Sequence, residues 1–167
     1  MNDRHRPEME PRLSYVIGRL DRVLRRRLSA AVEPVGLTLP AYTALSVLRV
    51  KDGLSNAHLA RLSLVTPQSM SEVLALLVAK GYVRRQAEPG HGRVVRIELT
   101  KAGSHALERG DRAVDEVERE MLADLDADEA TELRAVLLRC GRALEHDLSH
   151  RTAPRCETIL RSGGSPR

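Results

Sequence analysis

The chain has 167 residues, of which 42% are hydrophobic and 30% charged, with a formal net charge of +4. That length buries a real core in one domain with ragged ends. With no Phe, no Trp and three Tyr, the core must rest on Leu, Val and Ala, which suits helices, and the chain lacks the aromatic faces on which single-stranded nucleic acid stacks.

Residues 1–10 are polar, contain Pro7 and lack the apolar stretch of a secretory signal, so they read as a flexible arm. From Leu13 a helical pattern begins, with Val16, Ile17, Leu20, Leu24, Leu28 and Ala31 recurring at three- and four-residue steps. Arg19, Arg22, Arg25 and Arg26 take the opposite side, and Pro34 and Gly36 end the helix. Thr38 caps a second helix with Pro40 in its first turn, filled by Tyr42, Leu45, Val47 and Leu48 and closed by Lys51-Asp52-Gly53.

Ser55 caps a short third helix, for which Leu59 and Leu62 are the expected inward residues. Thr66-Pro67 is a strong helix start, an oxygen acceptor followed by a residue with φ already fixed, and Gly81 stops the helix just after Lys80. Residues 82–87 and 93–99 read as two strands, joined by Glu88-Pro89-Gly90-His91-Gly92, which has turn chemistry throughout. Val95, Ile97 and Leu99 alternate with Val94, Arg96 and Glu98. Thr100 opens a long helix with Leu107, Val114, Val117, Met121 and Leu125 on one side. Asp126 and Asp128 mark a new start, and the last helix carries Leu133, Val136, Leu137, Cys140, Leu144 and Leu148. Residues 151–167 contain Pro154 and end in GGSPR, the composition of a tail.

The order short helix, turn, second helix, hairpin is that of a helix-turn-helix with a wing, a device that lays one helix in the major groove of DNA. Projected at 100° per residue, the helix from Pro67 places Met70, Val73, Leu74 and Leu77 on one side and Gln68, Ser71, Glu72, Ala75 and Ala79 on the other. The second face is small and polar instead of rich in Lys and Glu, as an idle surface tends to be. Gln pairs with adenine, Glu accepts from cytosine, and Ser bonds either way. Amides from Thr66 to Ser69 can hold a phosphate. On the hairpin, Arg93 follows the tight turn and is placed for the minor groove, while Arg84, Arg85 and Arg96 can meet phosphates. The DNA-facing set is therefore Ser55, Thr66, Pro67, Gln68, Ser69, Ser71, Glu72, Arg84, Arg85, His91, Arg93 and Arg96. Charge agrees: residues 51–101 carry eight basic and four acidic side chains, residues 102–150 six and thirteen.

These stretches carry a resemblance. LTLPAYTAL, LARLSLVTPQSMSEVLALLVAKGYVRR and GRVVRIELTKAG resemble the MarR family of winged-helix regulators over residues 12–148. The resemblance implies a mainly α fold with a small β wing and an obligate homodimer. It divides the chain into an N-terminal arm (1–10), a dimerisation helix (11–37), a winged DNA-binding lobe (38–100), C-terminal dimerisation helices (101–150) and a tail (151–167). It also implies a palindromic double-stranded operator, release by a small, often phenolic or aromatic effector, and neither enzyme activity nor cofactor. In one respect the chain departs from the family, whose wing usually reads Asp-x-Arg; here it reads His91-Gly92-Arg93. His91 cannot pair with Arg93 as an anion, which leaves the seating of Arg93 open.

The apolar stripes of the first and last helices flank a motif that does not need both, so a partner or an intramolecular helical cap must cover them. The candidate dimer contacts are Leu13, Ile17, Leu20, Leu133, Leu137, Cys140 and Leu144. A two-fold dimer sets its reading helices about 34 Å apart, one turn of B-DNA. Cys140 reads most simply as a small buried hydrophobe, and Cys140 and Cys156 have no CxxC or metal-like spacing, which suggests a reducing cytoplasm. His146 and His150 are four apart on a helix, but no cluster completes a metal site. Tyr15 and Tyr42 can line an effector cleft or simply pack. No run of about 18 apolar residues offers a membrane span.

Overall fold

The computed structural model describes residues 10–87 and 95–151. In chain order they form α1 (Leu13–Val32), a 3-10 turn (Glu33–Val35), α2 (Leu39–Val50), α3 (Asn56–Leu62), α4 (Pro67–Ala79), β1 (Val83–Ala87), β2 (Val95–Leu99), α5 (Lys101–Met121) and α6 (Ala127–Arg151). The mainly helical fold with a small sheet is the one expected.

Local chemistry sets the boundaries. Thr38 Oγ1 accepts from the Ala41 amide, Ser55 Oγ from that of His58, and Thr66 Oγ1 from that of Ser69 at 3.1 Å. Each such cap stabilises its helix by about 1 kcal/mol. The chain leaves the 3-10 turn through Gly36 and leaves α4 through Gly81, with φ of 79° and 68°, a conformation that a Cβ disfavours. Asp126 and Glu129 form a reciprocal capping box at the start of α6: Asp126 Oδ1 accepts from the Asp128 and Glu129 amides, and Glu129 Oε2 from the Asp126 amide.

Residues through Met121 and residues from Leu122 make two compact units. The first has a core of Leu45, Leu48, Leu59, Met70, Leu74, Leu77, Ile97 and Leu107, all fully buried. Side chains of this size contribute about 1.5–3 kcal/mol each. β1 pairs antiparallel with β2 in the register Val83↔Leu99 to Ala87↔Val95. A third short edge was not foreseen: Ile97 N donates to Leu54 O at 2.9 Å and Gly53 N to Ile97 O at 3.1 Å. The Lys51–Gly53 segment thus ends α2 and also starts the edge that anchors the wing. α5 presses on this sheet through Gly103, where a Cβ would fall 2.0 Å from the Tyr82 carbonyl oxygen.

Two expectations are corrected. Leu62 is 44% exposed. On a helix of under two turns the buried arc is centred between Leu59 and Ala60, and Leu62 falls about 60° behind Leu59, outside it. α5 ends at Met121, so Leu125 lies in the turn before α6 and not on the α5 stripe; its amide donates to Leu122 O at 3.0 Å. Among the described residues no single helix is long and apolar enough to cross a membrane.

Candidate nucleic-acid interface

α3 and α4 pack through Leu59 and Ala60 against Met70, Leu74 and Leu77, all buried. That contact fixes which side of α4 is free. Gln68, Ser71, Glu72, Ala75 and Ala79 are all exposed, as the helical projection expects; Ser69 is exposed as well, and Val73 is partly buried at the margin. Pro67 and Thr66 are exposed too, so the whole first turn of α4 stands clear of the core. Thr66 Oγ1 accepts from the Ser69 amide and donates to Ser69 Oγ at 2.9 Å. Ser55 sits at the corresponding cap of α3.

A residue absent from the expected set joins the two helices. Asn56, the first residue of α3, donates from Nδ2 to Pro67 O at 3.2 Å and to Ser71 Oγ at 2.9 Å. Ser71 Oγ in turn donates to Pro67 O at 2.9 Å. A signal was present in the sequence: Asn56 and Ser63 are polar, seven residues apart, on the same arc of α3 as Leu59. Between the helices Leu64 takes φ +55°, unusual for a residue with a Cβ, and is 84% exposed.

The wing sorts its arginines. Arg84 stands opposite Glu98 in the register and pairs with it, with Nη2 2.6 Å from Oε2; the Gln86 amide lies against the same carboxylate. Arg96 donates to Gly53 O at 3.0 Å, bracing the third edge of the sheet. Arg85 lies on the other face of β1, exposed, and makes no side-chain hydrogen bond or ion pair with the described residues. His91 and Arg93 lie outside the described residues, as do residues 1–9, the turn at 88–92 and Cys156.

Of the dimer set, Leu13, Ile17 and Leu20 on α1 and Leu133, Leu137 and Leu144 on α6 are all exposed in the single chain. Cys140, expected as a small buried hydrophobe on the same stripe, is likewise exposed in the single chain. Val16 and Val23 extend the exposed stripe of α1. It borders a groove of about 310 Å³ between α1 and α5, lined by Leu20, Val23, Leu24, Val117 and Met121 and rimmed by an Arg27–Glu120 ion pair. Tyr15 is exposed, whereas Tyr42 is partly buried and bonded to Asp111.

Three helices closed by a hairpin, with a polar helix face left free beside it, define a winged helix-turn-helix protein. The MarR family model matches residues 35–94. The HTH-type transcriptional repressor Rv2887 of Mycobacterium tuberculosis is 39% identical over 129 residues, which span 77% of this chain and 93% of that one. A crystal structure of the M. tuberculosis MarR family protein Rv2887 in complex with DNA superposes with a TM-score of 0.68 at 36% identity, covering 79% of this chain and 99% of that one. The same protein with salicylic acid gives a TM-score of 0.67 at 37% identity, covering 79% and 98%. Wild-type MarR of E. coli, 24% identical, shares the fold with a TM-score of 0.69 over 78% of this chain and 97% of that one. The chain belongs to the MarR family. It is a transcriptional regulator and not an enzyme.

Proposed function

We propose that the chain is a homodimeric, sequence-specific double-stranded-DNA repressor released by a small aromatic acid. The observation that carries this is the free face of α4: Gln68 and Glu72 project from an exposed, capped helix start, beside a hairpin that leaves Arg85 unpaired among the described residues. These groups have the chemistry to read base edges and hold phosphates. In this reading residues 38–100 are the DNA-binding lobe, residues 11–37 and 101–150 are the dimerisation segments, and Arg93 enters the minor groove. The exposed stripes of α1 and α6 supply apolar surface for a second copy. The effector class follows the similarity to Rv2887, which has been crystallised with salicylic acid and with p-aminosalicylic acid. Such a ligand acts only through different affinities for DNA-competent and incompetent arrangements of the dimer. A cytoplasmic location fits a regulator of this kind.

The test is fluorescence anisotropy on the duplex upstream of the chain's own gene, against a scrambled duplex, titrated across salt and then with salicylate. Preferred binding to the native duplex, a steep salt slope and release by salicylate are expected. Equal weak binding to both duplexes, with no sequence recovered from a random pool, would leave a winged-helix protein-interaction module instead.

A further inference from the structure

The first turn of α4 has little to hold it. Thr66, Pro67, Gln68 and Ser69 are all exposed, and the first core contact is Met70. Helix starts of this kind fray, and a frayed turn cannot hold a side chain in the geometry that paired hydrogen bonds to a base demand. Beyond the Thr66 cap and the backbone bond from Met70 N to Thr66 O at 2.9 Å, the side-chain bonds that tie this turn to another helix come, among the described residues, from Asn56: Nδ2 to Pro67 O at 3.2 Å and to Ser71 Oγ at 2.9 Å. Ser71 completes the triangle by donating to Pro67 O at 2.9 Å. Its single proton is thereby committed, and one of its acceptor positions is filled.

Asn56 holds this place at a cost. Its Oδ1 is buried without a hydrogen-bond partner among the described residues, a condition that disfavours the folded state. The nitrogen side of the amide is the side in use. It reaches across from α3 to the turn that carries Gln68, between the two residues it bonds.

Resting on the DNA-binding reading above, we infer that Asn56 is a positioning residue for DNA recognition: its amide pins the first turn of α4 to α3, and Ser71 is the other half of that clamp and not a hydrogen-bond donor to a base. Base readout then falls to Gln68 and Glu72, whose orientation the clamp sets. This reassigns Ser71, whose exposure and polarity alone place it among the reading residues.

The experiment uses the full chain and four variants: Asn56→Ala, Ser71→Ala, the double variant, and Ser71→Thr, which keeps the hydroxyl. Hydrogen exchange in the free protein reads the amides of Ser69 to Glu72. Anisotropy then compares the duplex that wild type selects from a random pool with an unselected duplex. Faster exchange is expected in both alanine variants, with about tenfold weaker binding to the selected duplex and little change on the unselected one. The double variant should be no weaker than either single one, because both break one triangle. The selected sequence should not change, and Ser71→Thr should restore affinity. Multiplying effects in the double variant, a base preference altered at one position by Ser71→Ala, or unchanged selected binding in Asn56→Ala would each overturn the clamp. If Asn56→Ala does not fold, the Ser71→Ala and Ser71→Thr pair decides through the same readouts. If wild type selects no duplex, the DNA reading fails and this assignment falls with it. That outcome is distinct from failure of the clamp alone, in which wild type selects a duplex and the variants bind it equally well.

Discussion

Tyr42 on α2 donates its phenolic hydrogen to Asp111 on α5 at 2.9 Å, across the gap left by Gly110, where a Cβ would come within 2.8 Å of the tyrosine ring. Arg49, two turns further along α2, donates to the other oxygen of the same carboxylate at 2.5 Å. One acidic residue thus takes two bonds from one face of α2 and ties the helix that leads into the reading motif to the helix that leaves it.

This link has a pH signature. Burial, and then the bond to the Asp111 carboxylate, push the Tyr42 hydroxyl up to about 12, because both favour the neutral phenol. In the unfolded chain the group titrates near 10. The folded value is the higher one, so the contribution of the bond is fully present below pH 10 and is lost as pH rises through 12. Tyr42 is only partly buried, so solvent screening reduces the contribution to about 1 kcal/mol. Tyr42→Phe is expected to lower the urea-unfolding free energy by about that amount at pH 8. The difference from wild type should shrink between pH 10 and 12. A constant difference across that range would mean that the phenol does not titrate with folding.

Leu64 gives an opposite expectation. Its φ of +55° and 84% exposure mean that the side chain bears strain without burying apolar surface in the single chain. Leu64→Gly removes the strain, partly offset by the greater entropy of Gly in the unfolded state. The urea midpoint should rise, by about 0.5–1 kcal/mol in stability. A fall would show that Leu64 makes a stabilising contact, as with a second copy.

What the sequence made legible, and what it hid, follows from range. Ser55, Thr66-Pro67 and Gly81 act within one turn of themselves, and each lies where its side-chain chemistry placed a boundary. The free face of α4 was legible because a 3.6-residue period survives over thirteen residues. α3, with seven residues, is too short for that average, and Leu62 went to the wrong side. The pairing of Arg84 with Glu98 depends on strand register across a turn, and the bond from Arg96 to Gly53 on an edge 43 residues away in the chain. Neither follows from a local pattern, so Arg84, Arg85 and Arg96, which looked alike in sequence, have different surroundings. The polar place of Asn56 on the buried arc of α3 was visible in the sequence, but its partners lie 11 and 15 residues on, so its role was not.

The stripe on α1 bears on assembly. Ile17 is 42% exposed and Leu20 45%, so a charge at either position leaves the single chain's core untouched. Ile17→Glu is expected to keep the helical circular dichroism of wild type while converting a dimer to a monomer in sedimentation velocity. Buried in a dimer interface, that carboxylate would be an unpaired charge beside apolar side chains, a cost of several kcal/mol. A wild-type monomer, or a variant that still dimerises fully, would remove α1 from the interface.

The wing separates a paired arginine from an unpaired one on the same strand. Arg84 is held by Glu98 at 2.6 Å, whereas Arg85, the next residue, points to the opposite face with no side-chain partner among the described residues. Phosphate binding by Arg84 requires breaking or sharing that pair, while Arg85 reaches a phosphate with no such competition from the described residues. Arg85→Ala should therefore weaken binding about equally on all duplexes and lower the salt slope by about one. Arg84→Ala should instead leave the salt slope nearly unchanged and reduce stability by less than about 1 kcal/mol, the usual worth of an exposed pair. Anisotropy titrations at four salt concentrations, with urea unfolding of both variants, distinguish the two. Equal salt slopes for Arg84→Ala and Arg85→Ala would mean that DNA draws Arg84 away from Glu98, and that the pairing seen in the free chain is its resting state.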